Sequence, residues 1–231
     1  MKRIVMGLLL VVTLLISAMA AAERTVHIIT EDADTSGGCY SLIPGTVYLS
    51  DRIDGKTHIE GRLIVQNRLT RPVHYEGSVL IGYNETIPAV TVIEVSAVNP
   101  RTVASGGYSL LTFSVDDDIV THPDWYFEPL VNFYYSQENP EYLGVAQAAI
   151  QPYEYSAAIK AGRDLSDLPT NIYDCIVFFE DEEGRFIWAE DVTVNTENEN
   201  YAKASLEDYE VELFRACGCN PSRAEIVVQA R

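Results

Sequence analysis

The segment IYDCIVFFEDEEGRFIWAEDVTV, residues 172–194, predicts a β-hairpin and is the clearest structural signal in the chain. In its first arm, 172–179, every second side chain is apolar, the period expected of a strand with one buried face. The second arm, 185–194, repeats this period and places Trp188 on the face expected to enter the core. Between the arms, 180–184 predicts an acidic turn in which Gly184 adopts a positive φ angle.

Further strands are predicted on both sides of this hairpin. They are separated by loops rich in glycine, proline and asparagine and cover residues 25–30, 57–67, 73–81, 89–98, 108–115, 142–151 and 224–230. A short helix is expected at 155–161, closed by Gly162, and residues 206–214 are compatible with either a strand or a helix. A parallel α/β fold would need crossover helices that this pattern lacks. The sequence therefore predicts an all-β fold, an antiparallel immunoglobulin-like β-sandwich.

The order of strands and turns in residues 57–115 is similar to that in residues 172–230, which predicts two tandem units. The run of three aspartates at 116–118 and the nearby Pro123 interrupt the strand pattern. We therefore expect a first β-sandwich unit at 23–118 and a second at 119–231. The acidic run itself is interpreted as a solvated loop.

The hairpin resembles a known type of module. Residues 177–185, VFFEDEEGR, combine an aromatic strand end with an acidic turn and a glycine. In this they are similar to the small immunoglobulin-like modules of exported bacterial proteins, including the FxLYD type. The resemblance implies a non-catalytic role in adhesion, assembly or binding.

The N-terminus predicts export from the cytoplasm. A basic start with Lys2 and Arg3, a short apolar run and a small-residue segment at 17–22 are typical of a secretory signal peptide. Residues 1–22 are therefore excluded from the fold prediction, and the mature chain is expected to be secreted or periplasmic. The apolar run is short for a membrane anchor, which needs about 20 residues.

The charge of the chain argues against anionic partners. The formal net charge is −18, and loss of Lys2 and Arg3 lowers the basic count from 16 to 14 against 34 acidic residues. Such a field repels phosphate backbones and anionic lipid headgroups. We therefore expect no nucleic-acid partner and, after signal cleavage, no membrane partner. The expected partner is a protein or a glycan. The sequence does not predict the oligomeric state.

The four cysteines, Cys39, Cys175, Cys217 and Cys219, predict disulfide bonds, because an exported chain meets an oxidising compartment. A bond between Cys217 and Cys219 would close a very small strained ring. The preferred schemes therefore join Cys39 and Cys175, one each, to the Cys217–Cys219 pair. Zinc coordination by four thiolates is the competing interpretation, although structural zinc sites usually use two closely spaced pairs.

No motif of a known catalytic class is present. The sequence lacks the G-x-S-x-G elbow, the phosphate-binding glycine loops and the H-E-x-x-H zinc motif. We therefore predict a non-enzymatic protein without metal or cofactor that acts by extracellular protein–protein contact. A glycoside-active enzyme with a pair of carboxylates is the weaker enzymatic hypothesis.

The alternative function is carbohydrate binding at the cell surface. On strand spacing, the aromatic stretch 124–135 places Tyr126 and Tyr134 on one face together with carboxylate and amide side chains. Aromatic rings cover the apolar faces of sugars, while carboxylates and amides bind their hydroxyl groups. Tyr126, Tyr134 and Trp188 are the predicted stacking residues, although two packed layers would produce the same pattern.

Overall fold

The structure is a computed structural model that describes residues 25–29, 40–51, 57–76, 79–83, 90–94, 97–117, 126–154, 156–216 and 218–231. The predicted signal peptide at 1–22, Cys39 and Cys217 lie outside these residues. The described chain consists mostly of antiparallel β-sheets with one short helix, which agrees with the all-β prediction.

The N-terminal half contains a five-stranded sheet with the order β1-β2-β3-β9-β7. Its elements and those of two smaller sheets are β1 Thr25–Ile29, β2 Tyr40–Asp51, β3 Thr57–Asn67, β4 Val73–Tyr75, β5 Val79–Tyr83, β6 Val90–Glu94, β7 Ala97–Asn99, β8 Thr102–Val103 and β9 Tyr108–Asp117. The predicted strand 73–81 is therefore two strands, β4 and β5, which belong to different sheets. The predicted strand 89–98 is divided in the same way between β6 and β7.

The C-terminal half contains a four-stranded sheet with the order β12-β18-β15-β16 and a three-stranded sheet β13-β14-β17. The elements from β10 onward are β10 Tyr126–Leu130, β11 Phe133–Tyr135, β12 Glu141–Gln147, β13 Ala149–Pro152, β14 Ile159–Asp164, β15 Ile172–Glu180, β16 Phe186–Asn195, β17 Tyr201–Leu206, α1 Asp208–Ala216 and β18 Arg223–Ala230. Strands β10 and β11 follow the predicted boundary at 118, yet they pair with β5 and β4. Sheet pairing thus connects the two predicted units.

The hairpin prediction is confirmed by β15 and β16, which pair antiparallel from Ile172↔Asn195 to Glu180↔Phe186. Gly184 has a φ angle of 78° in the turn, as expected. The turn differs from a freely solvated loop at Asp181, which is only 4% exposed. The Asp181 carboxylate accepts hydrogen bonds from the backbone N–H groups of Glu183 and Arg185, at 3.0 and 2.8 Å, and from Nε of Arg185 at 2.6 Å.

Both faces of β15 are buried, whereas the sequence predicted one buried face. The first face carries Tyr173, Cys175, Val177 and Phe179 into a large core with the β13-β14-β17 sheet and α1. We call this set the C-terminal core; its buried members are Ala148, Ile159, Ala161, Leu165, Tyr173, Cys175, Val177, Phe179, Ile187, Trp188, Val194, Ala202, Ala204, Leu206, Val211, Phe214, Cys219, Ala224, Ile226, Val228 and Ala230. Burial of this apolar surface supplies the main stabilising free energy of the half.

The opposite face of β15 packs against the N-terminal sheet. A second cluster, which we call the interlayer core, joins Ile64 of β3 and Leu110 of β9 to the C-terminal half; its buried members are Ile64, Leu110, Ile176, Phe178, Phe186, Ala189 and Val227. Tyr108 packs edge to face with Phe178, with ring centroids 6.3 Å apart. The four-stranded sheet is therefore covered on both sides.

The helix expected at 155–161 is wrong, because residues 159–164 form β14. Ile159 and Ala161 are buried and β14 pairs with β17 along its whole length, so tertiary packing outweighs the local helical preference. Gly162 lies within this strand and does not cap a helix. A Cβ atom at Gly162 would lie 2.3 Å from the carbonyl oxygen of Ala202, so the close approach of the two strands requires glycine. Of the two options for 206–214, the helix is observed as α1.

We expect Phe178→Ala to lower the free energy of unfolding by about 3 to 5 kcal/mol, because it removes a ring from the interlayer core. Urea unfolding followed by tryptophan fluorescence measures this loss. Tyr209→Ala is the control, since Tyr209 is 63% exposed on α1 and its removal should change stability by less than about 0.5 kcal/mol. An equally small effect of Phe178→Ala would show that the interlayer core contributes little to stability.

Candidate ligand-binding site

A pocket of about 600 Å³ opens beside the junction of the two halves. It is lined by His74, Val98, Asn99, Pro100, Arg101, Thr102, Glu138, Asn139, Pro140, Asp174, Gln229 and Arg231. The first six residues come from β4 and the β7–β8 connection, and the others from the β11–β12 loop and the four-stranded sheet. A volume of this size lies within the range of small-molecule sites.

A row of side chains crosses the small sheet β11-β4-β8 and lines one wall of the pocket with His74 and Thr102. Tyr134 pairs with His74, and His74 pairs with Thr102. The rings of His74 and Tyr134 are stacked, with centroids 4.9 Å apart and an interplanar angle of 27°. A ring nitrogen of His74, Nδ1, lies 3.1 Å from the Thr102 hydroxyl oxygen. These contacts fix the orientation of both rings, while Tyr134 stays 51% exposed.

The opposite wall is a polar row on the four-stranded sheet. Gln229 of β18 pairs with Asp174 of β15, which in turn pairs with Thr193 of β16. Asp174 is only 5% exposed and accepts a hydrogen bond from the Thr193 hydroxyl at 2.9 Å. Its two oxygens also accept bonds of 2.8 and 2.7 Å from Nε and Nη2 of Arg231. The hydrogen bond to Asp174 raises the pKa of the Arg231 guanidinium, so this wall carries a fixed, paired charge.

Gln229 connects the two walls. It is 2% exposed; its side-chain oxygen accepts the backbone N–H of Ala104 at 2.9 Å, and its Nε2 donates to the Thr102 carbonyl at 2.9 Å. A buried amide with both ends satisfied resists displacement, because breaking either bond would leave a buried polar group unpaired. The floor of the pocket is therefore preorganised.

Hydrogen bonds at Asn99 and Pro100 hold the start of the β7–β8 connection in place. The Asn99 side-chain amide donates to the Asp191 carboxylate of β16. The Ser109 hydroxyl donates to the Pro100 carbonyl oxygen at 2.8 Å. Arg101 follows directly and lines the pocket with its side chain exposed.

The pocket is suited to non-covalent binding of a polar ligand. Its lining offers amide, hydroxyl, carboxylate and guanidinium groups together with an imidazole ring. Among the residues that the structure describes, no group of three His, Cys, Asp or Glu side chains is placed to bind a metal ion.

The three predicted sugar-stacking residues lie in three different strands. Tyr134 is not a lining residue of the pocket, but its ring stacks on the lining residue His74. Tyr126 begins β10, and its side chain is not among those described. Trp188 is 1% exposed in the C-terminal core, where Arg62 lies 4.2 Å from its ring centroid. A sugar cannot reach that ring without opening the core, so Trp188 has a packing role, as its place in the hairpin also predicted.

The disulfide pairing stays a prediction, since Cys39 and Cys217 fall outside the described residues. Cys175 and Cys219 are 1% and 8% exposed and both belong to the C-terminal core. Burial raises the pKa of the Cys175 thiol to about 12, so this group is a poor nucleophile at neutral pH.

A second polar cluster surrounds Arg62 at the edge of β16. The Arg62 guanidinium lies 3.4 Å from Glu60 and 3.3 Å from Glu190, and Nε1 of Trp188 donates to Glu190 at 2.7 Å. Glu210 of α1 is 8% exposed and accepts the backbone N–H of Glu207 at 2.7 Å, the geometry of a capping box. These groups join β3, β16 and α1 and are interpreted as structural.

Most pocket residues were missed at the sequence level. The usable signals were Asp174 and Gln229, two polar residues inside otherwise apolar strand segments. Each lies on the strand face that turns toward the N-terminal half, where an apolar side chain would be expected. Arg101, Glu138 and Asn139 lie in loops and gave no signal of their own.

Comparison with known proteins assigns no family to the chain, because no family model matches it and a search of curated proteins found no significant match. The resemblance to FxLYD-type modules stays a prediction from a short motif. In the described part of the chain, no helix has the length and apolar character needed to cross a bilayer.

Glu210→Gln is expected to stabilise the protein at high pH. Burial raises the pKa of Glu210 to about 7 from an ordinary 4.5, against a smaller lowering by the Glu207 N–H. Between these values the folded state binds the proton that the unfolded chain has lost, so the free energy of unfolding falls as pH rises. The stabilisation is fully present below pH 4.5 and is lost above about 7.

Urea unfolding at pH 4.5 and pH 8 measures this effect. The variant should exceed the wild type by about 1 to 3 kcal/mol at pH 8 and match it at pH 4.5, since glutamine resembles the protonated acid. Glu212→Gln, on the exposed side of the same helix, is the matched control. Parallel pH profiles for Glu210→Gln and the wild type would contradict the assignment.

Proposed function

We propose that the chain is an exported, non-enzymatic binding protein that recognises carbohydrate through the pocket described above. The observation that carries the proposal is the exposed Tyr134 ring, which stacks on His74, a lining residue of the polar pocket. Sugars present alternating apolar faces and hydroxyl edges, and they are bound by an aromatic ring beside amide and carboxylate groups.

The polar lining supplies the second part of such a site. Glu138 and Asn139 lie in the β11–β12 loop, four and five residues beyond Tyr134, and Thr102 lies on the opposite side of His74. Their amide, carboxylate and hydroxyl groups can donate to and accept from neighbouring sugar hydroxyls. Because Gln229 and Asp174 are held by buried hydrogen bonds, little conformational entropy is lost when a ligand binds.

The architecture and location in this proposal are those expected from the sequence. We take the protein to be two immunoglobulin-like units placed outside the cytoplasm by the signal peptide. Antiparallel sheets with a core in the C-terminal half and a second core between the halves support the sandwich interpretation. The absence of catalytic motifs in the sequence supports a binding role.

Tyr134→Ala should lower glycan affinity at least about 10-fold, since an aromatic stacking contact is worth about 0.5 to 1.5 kcal/mol beyond the area it buries. The wild type is first screened on a glycan array, and affinities for the bound glycans are then measured by calorimetry. Tyr209→Ala is the control, because Tyr209 is equally accessible but lies on α1 away from the pocket. Absence of any bound glycan, or unchanged affinity in Tyr134→Ala, would refute the proposed function.

Protein–protein contact is the second candidate, and the observation that favours it is the edge strand β12. In the described part of the chain, β12 pairs only with β18. Leu143 and Val145 are 38% and 45% exposed on this strand. In an antiparallel pair of two copies along β12, these exposed apolar side chains would contact the partner copy.

Sedimentation velocity over a concentration series tests this candidate. The wild type should form a dimer, and Val145→Lys should remain monomeric because two buried ammonium groups would enter the contact. Tyr209→Lys adds the same charge on α1 and should dimerise like the wild type. A wild type that is monomeric at every concentration would remove self-pairing through β12.

A further inference from the structure

We propose that the pocket selects saccharides that carry a carboxylate, with Arg101 as the group that binds the acid. This inference rests on the proposed carbohydrate-binding function and specifies its substrate class. The argument depends on how the charges of the pocket are paired.

Arg101 is the unpaired cation of the site. It lines the pocket with an exposed side chain. Within the residues that the structure describes, its guanidinium makes neither an ion pair nor a hydrogen bond, and all five of its N–H groups remain available to a ligand. A planar guanidinium binds a carboxylate through two parallel hydrogen bonds, which a neutral hydroxyl cannot reproduce.

The second arginine is already committed to the protein. Arg231 donates twice to the buried carboxylate of Asp174, so the two charges offset each other. This pairing leaves Nη1 of Arg231 without a bond in the described structure, and Nη1 can donate to a sugar hydroxyl. The pair therefore contributes polar donors to the pocket and almost no net charge.

The acidic groups of the pocket lie at the Arg231 side. Glu138 acts electrostatically on Arg231, where its charge is partly offset. Asp174 is buried beneath the same guanidinium. Arg101 belongs to a different lining element, the β7–β8 connection, and precedes Thr102, which contacts His74. A ligand with an acid at one end and hydroxyl groups at the other fits this division.

The composition of the whole chain sharpens this argument. The chain has 16 basic and 34 acidic residues, so most charged residues of a randomly placed pocket would be carboxylates. This pocket has two arginines and two carboxylates, and one of each is consumed in the Arg231–Asp174 pair. The surrounding negative field repels free anions at long range, so a carboxylate must be selected by close, directional contact with Arg101.

The experiment uses an array in which each acidic glycan stands beside its methyl ester, which has the same sugar rings without the charge. We expect the wild type to bind acidic members at least about 10-fold more tightly than their esters, as a charge-assisted bidentate contact implies. Arg101→Met should remove this preference, so that the variant binds each acid and its methyl ester with equal affinity. Lys203→Met, on the exposed face of β17 outside the pocket, is the charge-matched control.

The outcomes separate the two proposals. Equal binding of acids and esters by the wild type, or an acid preference that survives in Arg101→Met, would overturn the role of Arg101 and leave carbohydrate binding in place. Failure of the wild type to bind any glycan would refute the proposed function and with it this inference. We expect Arg101→Met to keep the wild-type fold, because Arg101 is exposed, and circular dichroism of the variant checks this.

Discussion

The structure depends on the burial of one strand from both sides. Strand β15 sends Tyr173, Cys175 and Val177 into the C-terminal core and Ile176 and Phe178 into the interlayer core. A strand with two apolar faces cannot be satisfied by a single sandwich partner, since either face left in water would cost hydrophobic free energy. The N-terminal sheet therefore has to lie against the C-terminal half, and the relative placement of the halves follows from the sequence of one hairpin.

The same constraint creates the pocket. The interlayer face of β15 is apolar at Ile176 and Phe178 and polar at Asp174. Asp174 pairs with Gln229 on the neighbouring strand β18. Buried polar side chains need partners, and these two obtain them from Arg231, Thr193 and the backbone at 102–104. Apolar contact between the halves stops where these polar groups begin. The space left beyond that point, between the β7–β8 connection and the β11–β12 loop, is the pocket.

Sequence reasoning succeeded where the signal is local and failed where partners are distant along the chain. The hairpin was predicted well because strand period and turn glycine are encoded within 23 consecutive residues. The period of 73–81 continues through Glu76, yet the backbone N–H of Glu76 bonds to Asn132 and the strand divides there. Ala157 and Ala158 favour a helix by propensity. Ile159 and Ala161 are nevertheless buried in a strand that pairs with β17, and this distant pairing cannot be predicted from the local sequence. For the site, the aromatic stretch led to Tyr134, which stacks on the pocket residue His74, and its role in sugar binding stays a prediction. Arg101 and Glu138 could not be predicted, because only the fold brings their loops together.

The two polar clusters at the junction differ in how their arginine side chains are paired. This difference distinguishes a cluster that stabilises the protein from one that we propose to bind a ligand. Around Arg62, the guanidinium is shared by Glu60 and Glu190 and covers Trp188, so the charges point inward and close the edge of the core. At the pocket, Asp174 holds one side of Arg231 and leaves the other side open, while Arg101 keeps its whole guanidinium available. A guanidinium enclosed by protein carboxylates and an indole ring is closed to a ligand, whereas an exposed guanidinium with unused donors is open to one. By that criterion the open guanidinium groups at the junction are the part of this surface that supports the proposed binding role.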